Sequence, residues 1–187
     1  MPFSIIIDGP NFISRLKQKK GQDYVLNTFD FGKFHHYIQK RLTEMHLNSH
    51  PFVHTYFICS DGGSIGTIDE SRRDELLRKI GHSRGVSVLE VKQHTSKTRG
   101  EKGVDMTVLT KAIDCFNSSD NHEIVIITQD SDFVPAIKCL TQLNAHVIVC
   151  GFFHKNSNTD EQLINVSYDH IDLQKIITQM DKNPDKY

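Results

Sequence analysis

Asp8 in "IIIDGPNF", Asp105 in "EKGVDMTVLTKAID", and Asp130 and Asp132 in "IVIITQDSDFVP" each stand next to an apolar run. Carboxylates brought together repel, and partial burial adds a desolvation cost unless a counter-charge is supplied. A divalent cation is the simplest counter-charge. Oxygen ligands with a neutral amide nearby, here Asn11, suit Mg²⁺ or Mn²⁺ rather than zinc, because Mg²⁺ keeps waters and needs only a few carboxylates. Beside a phosphodiester such an ion lowers the pKa of a bound water and polarises the phosphoryl oxygen, and a second ion stabilises the leaving oxygen. The chemistry expected is metal-assisted hydrolysis.

Positioning those acids falls to short apolar runs that read as strands: 3–7, 52–59, 86–91, 123–128 and 146–151. Between them lie segments with helical spacing, near 30–47, 69–81, 103–117 and 131–144, followed by pieces near 159–165 and 172–181. Strand alternating with helix predicts βαβ units and an open, mostly parallel sheet with helices on both faces. At 187 residues, with no repeat or linker, a single domain over 1–187 is expected. In a 3-2-1-4-5 strand order, Asp8 and Asp130 face each other where ligands bind, at the carboxyl edge beside the reversal of strand order. Asp105 joins them from a helix: Val108, Leu109, Ala112 and Phe116 continue its face as an apolar stripe.

Two polar connections leave the same edge. "RLKQKKGQDYVLNT" (15–28) carries Arg15, Lys17, Lys19 and Lys20, and "KQHTSKTRGEKG" (92–103) carries Lys92, Lys97, Arg99 and Lys102. With 22 basic against 23 acidic side chains, attraction to nucleic acid must come from such local features. These loops, with Tyr24 and Phe153, are candidates for guiding a single strand by phosphate contact and stacking.

Each acid also has a structural explanation. Asp132 or Ser131 can cap the helix beginning at Phe133, Asp8 and Asn11 suit a turn, and Asp105 suits a helix N-terminus. Asp61, in a Gly-rich turn, reads as structural. The 11 histidines show no zinc-ligand spacing, and Cys59, Cys115, Cys139 and Cys150 form no CxxC pair and read as reduced, buried thiols. Nucleophile-elbow, GxxxxGK[ST] and GxGxxG patterns are absent, as is the D-x-D-x-T of haloacid-dehalogenase-type phosphoryl acceptors. The apolar run at the start is too short for a signal peptide or membrane span, so a cytoplasmic protein is expected.

"IIIDGPNF", "EKGVDMTVLTKAID" and "ITQDSDFVPAIKCLTQLNAHVIVCG", in that order, resemble the D-G-x-N, K-G-x-D and S-G-D-S-D-F-x-P signatures of the NYN family, the LabA-like branch of the PIN-like nuclease superfamily. The tail "SNTDEQLINVSYDHIDL" resembles the family's closing segment. The resemblance implies a PIN-like Rossmannoid sheet, a Mg²⁺ or Mn²⁺ site and endoribonuclease chemistry on single-stranded RNA. It carries the catalytic and metal-binding positions to Asp8, Asp105, Asp130 and Asp132, with Asn11 as polar companion. Lys102 matches its lysine. Asn11, Lys102, Gln129, Ser131, Lys97 and Arg99 are the expected substrate contacts, and a homodimer is the assembly to be considered. One departure stands out: Thr128-Gln129-Asp130 replaces Ser-Gly-Asp, so a side chain occupies a glycine position, where it narrows the site or donates to substrate. A non-catalytic RNA-binding or protein-interaction module of the same fold is the alternative.

Overall fold

The computed structural model describes residues 3–45, 52–92, 102–118, 123–154 and 157–183. Strands β1 (Phe3–Asp8), β2 (Phe52–Ser60), β3 (Val86–Val91), β4 (Glu123–Ile127), β5 (His146–Gly151) and β6 (Asp169–Asp172) form one parallel sheet in the order β3-β2-β1-β4-β5-β6. The order reverses between β1 and β4, as expected, and a sixth short strand extends the predicted five.

Alternation along the central strands divides the core into two layers. Ile5 and Ile7 of β1, Phe57 of β2 and Val125 and Ile127 of β4 face one layer. It is covered by helices α1 (Gly9–Lys20), α2 (Phe31–Met45), α3 (Glu70–Gly81) and α7 (Leu173–Lys182). Ile6, Ile58, Ile124 and Ile126 face the other, under α4 (Lys102–Ser118), α5 (Val134–Gln142) and α6 (Asn158–Val166). Burial on both faces explains the continuous apolar runs.

Helix α1 overturns the expected polar connection over 15–28. Pro10 occupies its first turn, where a missing N–H costs nothing, and Phe12, Ile13 and Leu16 form a buried stripe. Phe12 sits amid the rings of Phe29, Phe31, Phe34 and Phe152. A π-helical turn over Tyr24–Thr28 then buries Val25 and Leu26. The far end of α1 is tied to α7: Lys20 Nζ pairs with Asp181 Oδ2 at 2.5 Å, and the Tyr24 hydroxyl donates to Asp181 Oδ1 at 2.6 Å. Tyr24 is thus a packing residue, and Phe153 likewise packs on the second layer and edge-on against His170. Among the cysteines, Cys59 and Cys150 are buried and Cys115 half-buried, but Cys139, on the outer face of α5, is exposed, correcting the expectation of burial.

The start of α1 runs so close to β2 that only glycine fits at position 9. A Cβ there would lie 2.6 Å from both the Ile58 carbonyl oxygen and the Phe57 ring. This close approach fixes the turn that carries Asp8 and Asn11. Among the described residues, no helix is long and apolar enough to cross a membrane.

Candidate active site

At the carboxyl edge, beside the reversal of strand order, lies a cavity of about 770 Å³. Asp8, Asn11, Asp105 and Asp130 line it, so the structure brings together the end of β1, the first turn of α1, the first turn of α4 and the segment after β4. Asp105 reaches the rim because Val108 and Ala112, further along its face, are buried in the second layer.

Asp8 is only 3% exposed. Its Oδ1 accepts the Asn11 backbone N–H at 3.3 Å, capping α1, and its Oδ2 accepts the Thr128 hydroxyl at 3.0 Å. Burial pushes its carboxyl up to about 7, the negative charges of Asp105 and Asp130 push the same way, and the two hydrogen bonds oppose them. A carboxyl poised near neutrality is costly to maintain as a bare anion and is a candidate for binding a cation or holding a proton.

Thr128 links the two sides of the crevice, a role that sequence reasoning missed. While its hydroxyl donates to Asp8, the same oxygen accepts the Asp130 N–H at 3.2 Å. Asn11 adds a parallel strut, its Oδ1 accepting the Gln129 N–H at 3.0 Å. The available signal was a hydroxyl residue at the first position of the third signature.

Several expected site residues are placed elsewhere. Asp132 is exposed and does not line the cavity; its backbone N–H is capped by Asp130 Oδ1 at 2.9 Å, so Asp130 is the cap that was expected at 131 or 132. Ser131 opens the 3₁₀ turn Ser131–Phe133, also outside the cavity lining. Asp61 is exposed. Lys102 begins α4, while Lys97 and Arg99 lie outside the described residues.

Gln129 is the clearest correction. Its side chain turns inward, is 5% exposed, and donates through Nε2 to the Phe152 carbonyl at 2.9 Å and Asp160 Oδ1 at 3.2 Å. The space exists because residue 151 is glycine: a Cβ there would lie 2.7 Å from Gln129 Cγ. Asp160, buried and also accepting the His154 N–H at 2.8 Å, is the unforeseen partner. The side chain at the glycine position therefore neither narrows the cavity nor contacts its contents. Gln129→Gly should leave Asp160 Oδ1 without that buried donor and lower stability by about 1–3 kcal/mol, read as a lower urea midpoint at unchanged slope.

The donor set is all oxygen, with no histidine or cysteine lining the cavity. Among the described residues no three acidic, histidine or cysteine side chains stand close enough for a direct three-ligand shell. Three carboxylates around a roomy cavity fit a hydrated hard cation held partly through water, and do not fit a closed zinc site.

An open parallel sheet with helices on both faces, and acids converging where its strand order reverses, defines a PIN-like fold. The NYN domain family model matches residues 2–174, and the chain belongs to that family, within the PIN-like nuclease superfamily. No curated protein matches the chain. Among solved structures, it is similar to the crystal structure of a protein of unknown function, VPA0982, from Vibrio parahaemolyticus RIMD 2210633. The identity is 16%, with 94% of each chain covered and a TM-score of 0.64, a likeness of fold.

Proposed function

We propose that this chain is a metal-dependent endoribonuclease of the LabA-like branch, cutting single-stranded RNA in the cytoplasm with Mg²⁺ or Mn²⁺. The observation that carries the reading is the cavity itself: Asp8, Asp105 and Asp130 line one space, and their charges help push the Asp8 carboxyl up to about 7. Asp105 and Asp130 are the open side of the cation site and Asp8 its buried floor. When bound, the cation supplies charge neutralisation at the phosphodiester and a more acidic water. Asp8 gives up its proton as the cation enters. Thr128 holds Asp8 and Asp130 in register, and Asn11 fixes the Gln129 backbone with its Oδ1 while its Nδ2 remains a donor for a phosphate oxygen.

The test is cleavage of mixed single-stranded RNA with Mn²⁺ or Mg²⁺ by the wild type and by Asp130→Asn. Asparagine retains a cap for the Asp132 N–H, so the variant removes the charge and keeps the turn. Cleavage by the wild type alone is the expected result. Equal, negligible cleavage by both would sink the enzyme reading, and binding without cleavage would favour an RNA-binding module.

A further inference from the structure

Helix α1 presents four cations, and their surroundings differ. Lys17 Nζ donates to the Thr67 carbonyl at 2.8 Å, and Lys19 Nζ lies 2.9 Å from His154 Nε2. Lys20 is committed to Asp181. Arg15 is exposed, and its contact is with a neutral group, Gln18 Oε1, at 3.4 Å. Among the described residues no carboxylate lies within ion-pairing distance of it, although Arg15 lines the cavity that holds Asp8, Asp105 and Asp130.

Asn11, Arg15 and Gln18 follow one another at helical spacing on the face of α1 that borders this cavity, beside the buried Phe12 and Leu16. The step from Asn11 to Arg15 is about 6 Å along the axis. Arg15 therefore stands about one helical turn along the cavity wall from Asn11, where a strand seated over the acids would continue beside α1.

We infer that Arg15 grips a backbone phosphate next to the one held at the carboxylates, which makes the site specific for a polynucleotide strand over a mononucleotide. The inference rests on the reading of the cavity as an RNA site. A planar guanidinium suits the position because it offers two parallel donors to a phosphate, where an ammonium offers a point charge. It also supplies the positive charge that the acidic end of the cavity lacks.

The test is equilibrium binding of a fluorescent single-stranded RNA oligonucleotide in Ca²⁺ across a salt series, for the wild type, Arg15→Gln and Arg15→Lys, with uridine monophosphate as competitor. Arg15→Gln should weaken binding about tenfold and reduce the slope of log affinity against log salt by about 0.7, the value for one phosphate contact on a single strand. Arg15→Lys should restore the slope and only part of the affinity. The mononucleotide should compete equally weakly with wild type and Arg15→Gln, and both variants should melt with the wild type because Arg15 makes no ion pair among the described residues. Unchanged affinity and slope in Arg15→Gln overturns the inference, as does a wild type with no salt-dependent binding. The nuclease reading fails separately: Arg15-dependent binding without metal-dependent cleavage removes that reading and leaves this one.

Discussion

Asp8→Asn is expected to abolish RNA cleavage while giving a protein that is more stable than the wild type at pH 8. The two effects have one cause. Asp8 is buried beside Asp105 and Asp130, and its carboxyl is raised to about 7, so at pH 8 the cation-free fold carries a desolvated anion. Asparagine keeps the shape, accepts the Asn11 N–H through Oδ1, and places Nδ2 against Thr128 Oγ1, which then accepts where it formerly donated. The charge that would hold the cation is gone. Loss of cleavage should exceed about a hundredfold, the upper range for groups that only orient a metal ligand. Thermal denaturation and a fixed-time RNA assay check the pair of effects; a variant that melts lower than the wild type would mean that the Asp8 charge is already compensated in the fold. A gain in stability from a site substitution is the expected signature of a strained functional group.

The second large effect is the dependence of stability on pH. Asp8 has an unfolded value of 3.8 and a folded value of about 7, so between those limits the folded chain holds a proton that the unfolded chain has released. Stability from this group is therefore full below about pH 4, falls as pH rises, and is lost above about pH 7. The change approaches about 1.4 kcal/mol per pH unit, or about 4 kcal/mol in total as an upper bound. His35 works in the opposite direction. Burial lowers it from 6.5 to about 4, so it stabilises the fold above pH 6.5 and is lost on acidification towards pH 4. The two nearly cancel in a simple pH curve. Subtracting the wild-type curve from that of Asp8→Asn removes His35 and isolates Asp8: the difference should be near zero at pH 4 and grow to its full value by pH 8. Millimolar Mn²⁺ should close that gap at pH 8 and have little effect at pH 5, because binding requires the Asp8 proton to leave. A gap insensitive to Mn²⁺ would count against a cation at Asp8.

The sheet was legible because β1, β4 and β5 are rich in isoleucine and valine and buried on both faces, and β2 is rich in aromatic and β-branched residues. The convergence of Asp8, Asp105 and Asp130 followed from strand ends and helix phase. Three other features depend on contacts that no local pattern records. Helix α1 begins with Gly9-Pro10, which reads as a turn, and has only Phe12, Ile13 and Leu16 as its buried stripe; Gly9 is there for close approach to Ile58. Strand β6, "DHID", buries only Ile171, too little apolar character to be recognised without its pairing to β5. The direction of Gln129 is set by room at Gly151 and by Asp160, and that of Asp132 by the tight turn that Asp130 caps. Local sequence could place these residues near the site; it could not orient them.

Viewed mechanically, helix α1 is a beam clamped at both ends. One clamp is Gly9 against β2, with Asp8 capping the first turn. The other is Lys20 and Tyr24 on Asp181, in the last turn of α7 and past residue 174, where the family match stops. Asn11 and Arg15 ride between them. The angle at which this helix meets the cavity is thus set in part by the final helix, a segment that contributes no side chain to the cavity lining.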